Sequence, residues 1–165
     1  MIADIFARAG LKIPRLDEKT ESDIQDWLGN YIDGTIVCNP IDLNVAGFDN
    51  KLIKKLILAF DESSSIDTIV IFEAIDFFIS FAKKMKLEGL SKGFYKSFAR
   101  LGKKVQKNVI VISVSVVKEA EVLEETFEIE NLIRGSGIPL INSIEGAAKA
   151  LAKVVNYKEY LERKM

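Results

Sequence analysis

Thr68-Ile69-Val70-Ile71-Phe72 is an unbroken apolar run rich in β-branched side chains, and its reading decides the fold. Such residues suit a pleated strand. No polar residue alternates with them, so neither face of this strand expects water. A strand covered on both faces belongs to a parallel sheet flanked by helices. Val109 to Val117 repeats the signal. Between the two runs, residues 75–87 and 94–107 read as helical pieces broken around Gly89 to Gly93. After the second run, Ala120 to Arg134 reads as a helix ended by Gly135 and Gly137. Ile138 to Ile141 is a short strand, and Ser143 caps a long final helix.

Upstream, residues 2–9 read as a helix closed by Gly10, and Leu11-Lys12-Ile13 as a short extended run stopped by Pro14. Thr20 is the expected N-cap of a helix with Ile24, Trp27, Leu28 and Tyr31 on one face. Thr35-Ile36-Val37-Cys38 is expected to be extended, because Asn39 precedes Pro40. A helix follows from about Phe48 to Phe60, then a polar loop, Asp61 to Ser65. Strand and helix alternate through the chain, which predicts parallel strands, right-handed crossovers and helices on both faces. The fold class is α/β, of flavodoxin-like or Rossmann-like type. No repeat or low-complexity linker divides it, so residues 1–165 read as a single domain.

Composition narrows the chemistry. The chain has no histidine, which removes the commonest general base and metal ligand, and any Ser-His or Cys-His pair. Cys38 is the only cysteine, so no internal disulfide forms, and it reads as a small buried apolar residue. No apolar run is long enough for a membrane span. A signal-peptide pattern is interrupted by Asp4, and a cytoplasmic location is the expectation.

Net charge is −1, but residues 1–82 hold 7 basic and 14 acidic side chains, and residues 83–165 hold 16 and 10. Lys83 to Lys107 contains nine Lys or Arg against Glu88 alone. Such a stretch suits nucleic acid, anionic lipid or an acidic protein, but a solvated helix face is the commoner cause. Phe94, Tyr95 and Phe98 fall there at helical spacing with Leu101 and Val105. They read as a core stripe in preference to a base-stacking platform, which disfavours nucleic acid.

Glu73 and Asp76 follow the first buried strand, at the carboxyl edge where open parallel sheets bind ligands. Three apart, they suit Mg²⁺ ligation or an acid–base pair; capping the following helix is the commoner role. Asn39, Pro40 and Asp42 form a second candidate group. Asp42 either positions a neighbouring backbone at a subunit interface or closes an Asx turn in its own loop. Gly135-Ser136-Gly137 follows a helix instead of opening one, so it reads as a C-cap, and no P-loop or dinucleotide fingerprint is present.

A series of motifs in a fixed order supports a more specific expectation. They are Ala9-Gly10-Leu11-Lys12-Ile13-Pro14, Thr20-Glu21, Asn39-Pro40-Ile41-Asp42-Leu43, Ile66 to Ile71, Lys107-Asn108-Val109, Gly137-Ile138-Pro139 and Tyr157-Lys158-Glu159-Tyr160. The series resembles the C-terminal flavodoxin-like domain of NDP-forming (ADP-forming) acyl-CoA synthetases, the succinyl-CoA-ligase-like superfamily. It covers most of residues 9–163.

The resemblance implies an acid–thiol ligase complex that links acyl-CoA, phosphate and NDP to acid, CoA and NTP. CoA, ATP or ADP and Mg²⁺ would belong to the whole complex, with none bound by this chain alone and no catalytic residue supplied by it. Its partners would be the CoA-binding and ATP-grasp domains or subunits, in a homo- or hetero-oligomer. The domain would act as a docking platform near the phosphoryl-transfer site, where a helix N-terminus favours an anion.

Three departures qualify this. The family domain begins with a strand and Gly-rich turn before the position of residue 3, and this sequence starts after them. The usual small-residue loop is here Glu73-Ala74-Ile75-Asp76-Phe77-Phe78, poor company for a phosphoryl group. The segment from Glu73 to Asn108 is longer than usual and basic. The alternative is a stand-alone binding or oligomeric assembly module that kept the fold without the ligase chemistry.

Overall fold

In the computed structural model, which describes residues 2–29, 37–87 and 89–164, the two apolar runs lie side by side. Thr68–Glu73 forms β1, Asn108–Ser113 forms β2 and Leu140–Ile141 forms β3. Among the described residues they make an open parallel sheet in the order β1-β2-β3. β1 and β2 pair in register from Thr68 opposite Asn108 to Glu73 opposite Ser113. Among the described residues seven α-helices surround the sheet: α1 (Ile2–Arg8), α2 (Glu18–Leu28), α3 (Asn50–Glu62), α4 (Ile75–Lys84), α5 (Leu90–Gly102), α6 (Ala120–Gly135) and α7 (Ile144–Glu162). A 3₁₀ turn, Asn44–Phe48, precedes α3.

Strand alternation sends neighbouring side chains to opposite faces. Ile69, Val109 and Val111 join the larger core, with Ile24 and Leu28 of α2, Leu52 and Leu56 of α3, Phe78 of α4, and Ile129 and Ile133 of α6. Val70 and Ile112 face the other way, onto Phe6 of α1 and Ala147 and Ala148 of α7. Three layers result, with α1 and α7 on one face and α2 to α6 on the other. Each large side chain fully buried in these cores contributes roughly 1.5–3 kcal/mol.

The aromatic stripe of α5 is core. Phe94, Tyr95 and Phe98 are 5%, 1% and 5% exposed. Phe94 and Phe78 meet edge to face at 5.2 Å, and Phe48 stacks on Phe78 at 4.5 Å. Part of the basic stretch serves the fold: Lys92 pairs with Glu128 at 2.7 Å, and Lys107 Nζ donates to the carbonyls of Phe60 and Ser63.

Several boundaries differ from the sequence reading. The second strand stops at Ser113, not Val117, because the Val116 and Val117 N–H groups donate to Asp76 instead of a neighbouring strand. α5 begins at Leu90, so Gly93 lies inside a helix. Thr20 is not the cap of α2. Asp17 is, its Oδ1 accepting from the Thr20 N–H at 2.9 Å. Cys38 is exposed, not buried. Its neighbour Val37 packs on the larger core, and the chain bends there, which turns Cys38 outward. Thr35 and Ile36 of the expected extended run, and Tyr31 of the α2 stripe, lie outside the described residues. Ser143 does cap α7, accepting from the Gly146 N–H at 3.0 Å. Among the described residues no helix is long and apolar enough to cross a membrane.

Candidate functional site at the carboxyl edge of the sheet

β1 ends at Glu73, α4 starts two residues later, and Asp76 sits in its first turn. Sequence reasoning grouped the two acids, and the fold does place both at this edge. Each is committed to a separate internal task.

Glu73 continues the face of Ile69 and Ile71, so its carboxyl group points into the larger core. Tyr95 of α5 donates its hydroxyl hydrogen to Glu73 Oε1 at 2.5 Å. Burial pushes the Glu73 pKa up to about 7, and the Tyr95 bond opposes this only in part. Burial and the neighbouring Glu73 carboxyl hold the Tyr95 phenol well above its usual value, so it stays a donor. A buried tyrosine hydroxyl needs a partner, and Glu73 is it.

Asp76 is 1% exposed. Its Oδ2 accepts from the Val116 N–H at 2.6 Å, the Val117 N–H at 2.8 Å and the Ser115 hydroxyl at 2.8 Å. Its Oδ1 accepts from the Phe77 N–H at 2.7 Å. Burial alone would raise its pKa, but the bonds from Val117, Ser115, Val116 and Phe77 together outweigh burial and lower it. Asp76 therefore stays ionised and clamps the β2–α6 loop to the start of α4. A carboxylate so filled with donors has little left for a metal ion. Among the described residues no three His, Cys, Asp or Glu side chains gather as a metal-ligand set.

The clamp shapes a groove of about 440 Å³ between α4 and the β2–α6 loop. Phe77, Phe81, Val116 and Val117 supply its apolar lining, and Ser80, Lys84, Lys118 and Glu119 its polar part. Phe77 and Val116 are 51% and 60% exposed, so large apolar side chains face solvent here. Ser115, Val116 and Lys118 were not singled out from sequence. Loop residues such as these show no periodicity that would mark them.

Asn39, Pro40 and Asp42 lie on a different element. The Asn39–Pro40 peptide is cis, and Asn39 Nδ2 donates to the Pro14 carbonyl at 2.9 Å. Asp42 Oδ1 accepts from the Asn44 N–H at 3.1 Å, an Asx turn leading into the 3₁₀ turn. No hydrogen bond joins this loop to Glu73 or Asp76 among the described residues. After α6, Ser136 is the C-cap and Gly137 takes a positive φ of 90°, so Gly135-Ser136-Gly137 ends a helix.

Comparison with known protein families, with functionally characterised proteins and with solved structures finds no match.

Proposed function

We propose that the chain is a docking platform of an NDP-forming acyl-CoA synthetase assembly, a flavodoxin-like domain that is not catalytic alone. The observation that carries this reading is the commitment of both edge acids to the fold. Asp76 takes four donors and Glu73 takes the Tyr95 hydroxyl. The edge where an α/β enzyme places its acid–base groups is built here as a braced surface with an apolar groove. Exposed aromatic and aliphatic side chains beside lysines suit protein contact, since interfaces concentrate large apolar side chains at their centre. The ordered motif series from Ala9-Gly10-Leu11 to Tyr157-Lys158-Glu159-Tyr160, through its resemblance to the synthetase domain, is what favours this assembly over others. CoA, nucleotide and Mg²⁺ would be held by the partner domains.

The test is reconstitution. The chain is mixed with CoA-binding and ATP-grasp domains of such a synthetase, and complex formation and thioester synthesis are measured. A complex with turnover is the expected result. No physical association would overturn the reading.

A second reading is a stand-alone assembly module. Exposed Val154, Tyr157, Tyr160 and Leu161 on α7 favour it, because a helix with this much uncovered apolar surface calls for a partner.

A further inference from the structure

The first half of α7 is anchored. Ala147 and Ala148 are buried against α1 and the sheet, and Leu151 packs on the same cluster. Beyond Leu151 the helix keeps an apolar stripe that its own fold leaves bare. Val154, Tyr157 and Leu161 are 64%, 63% and 43% exposed. With Ala150 they follow the 4-3-4 spacing of a coiled-coil seam. Lys153 and Lys158 flank that seam at the positions that meet a partner helix. Lys158 lies 3.8 Å from Glu162 with both side chains largely exposed, and Lys153 has no ion pair among the described residues. Two such tails laid together would oppose lysine to lysine, so α7 does not suit pairing with itself.

A face of matching character exists on α6. Leu123 and Phe127, one helical turn apart, are 42% and 63% exposed. Exposed Glu124 and Glu128 both stand along one side of them; Glu128 holds Lys92 at 2.7 Å, and Glu124 has no ion pair among the described residues. One helix thus offers an apolar strip with a basic rim, and the other an apolar strip with an acidic rim. They lie on opposite faces of the sheet, so one molecule cannot bring its own two strips together.

We infer that the chain self-associates by laying the Val154–Tyr157–Leu161 strip of one copy on the Leu123–Phe127 strip of another, so that the positive charge of Lys153 and Lys158 lies near the acidic Glu124–Glu128 side. The inference rests on the assembly-module reading and names its partner as a second copy. Apolar burial supplies the attraction, and the charges set which helix meets which.

Sedimentation equilibrium of the whole chain tests it, at roughly 100 µM, where weak interfaces become populated. The expected mass exceeds the 18.5 kDa of one chain and falls toward it when salt rises from about 50 mM to about 500 mM. Two double variants decide the pairing: Lys153→Glu with Lys158→Glu, and Glu124→Lys with Glu128→Lys. All four sites are exposed, and circular dichroism checks that each variant folds. Each alone is expected to stay at one chain's mass, and an equimolar mixture to regain the association, because both joints are then complementary. A wild type that remains a single chain overturns the inference. A wild type that associates while the mixture does not also overturns it, but leaves the assembly-module reading standing.

Discussion

Tyr95 donates its hydroxyl hydrogen to Glu73 at 2.5 Å, joining α5 to the carboxyl end of β1 from within the core. The Glu73 pKa stands raised from 4.5 to about 7, so the folded chain binds a proton there that the unfolded chain releases. Stability from this group is complete below about pH 4.5 and is lost as pH rises toward 7. Glu73→Gln, which keeps an oxygen acceptor for Tyr95, should remove that dependence. The difference in urea-unfolding free energy between variant and wild type should grow in the variant's favour across this window, by about 2 kcal/mol. Tyr95→Phe should move the window upward, because the bond that favours the charged carboxylate is gone.

Asp76 has the opposite pH signature. Its lowered pKa means that its contribution is present above the usual carboxylate value and is lost as pH falls through and below it. Asp76→Ala should cost about 3 kcal/mol or more, since it strands buried donors and removes charge-assisted bonds. Hydrogen exchange at the Val116 and Val117 amides should accelerate before global unfolding. Asp76→Asn should fall between the two, keeping an acceptor but presenting an NH₂ where donors already crowd.

Gly102 ends α5 against Ile138, whose Cγ1 would lie 2.9 Å from a Cβ added there. Helix propensity favours alanine at such a site by nearly 1 kcal/mol, but overpacking costs about 1–3 kcal/mol. Gly102→Ala should therefore be net destabilising. Ile138→Val, which shortens the obstructing side chain, should recover part of the loss. Thermal unfolding of the two single variants and the double variant measures this coupling.

Asp61 near the end of α3 accepts from the Gln106 and Lys107 N–H groups at 2.9 Å and 2.8 Å, just before β2. Asp61→Ala should cost about 1–2 kcal/mol through the lost acceptor, seen as a lower urea midpoint with an unchanged slope. A changed slope would mean that this contact does more than brace the native loop.

The parts of this fold legible in the sequence are those with strong periodicity. Thr68 to Phe72 and Val109 to Ile112 pair as apolar strands with a cluster packed on each face, although Phe72 at the end of β1 is 41% exposed where the sequence expects no water, and α6 and α7 announce themselves through Gly137 and Ser143. The end of β2 was not legible. Val116 and Val117 have strand-like side chains, but a single distant carboxylate, Asp76, claims their N–H groups. The cap of α2 went to Asp17 because it also accepts from the Ser63 hydroxyl at 3.0 Å, a contact 46 residues away that no local pattern reveals. Glu73 and Asp76 were found by position after a strand, whereas their tasks depended on Tyr95 and the Ser115–Val117 loop. The exposed stripe of α7 read as an ordinary helix, since periodicity marks an apolar face without saying whether anything covers it.

The central claim is that this chain serves a synthetase as a platform, with its edge acids holding the fold. Thioester synthesis by the reconstituted assembly tests it most directly, compared without the chain, with wild type and with Glu73→Gln. The account predicts that turnover requires the chain and that the folded Glu73→Gln chain supports it as well as wild type. Turnover unchanged by omitting the chain, or abolished by Glu73→Gln with the fold intact, would contradict it.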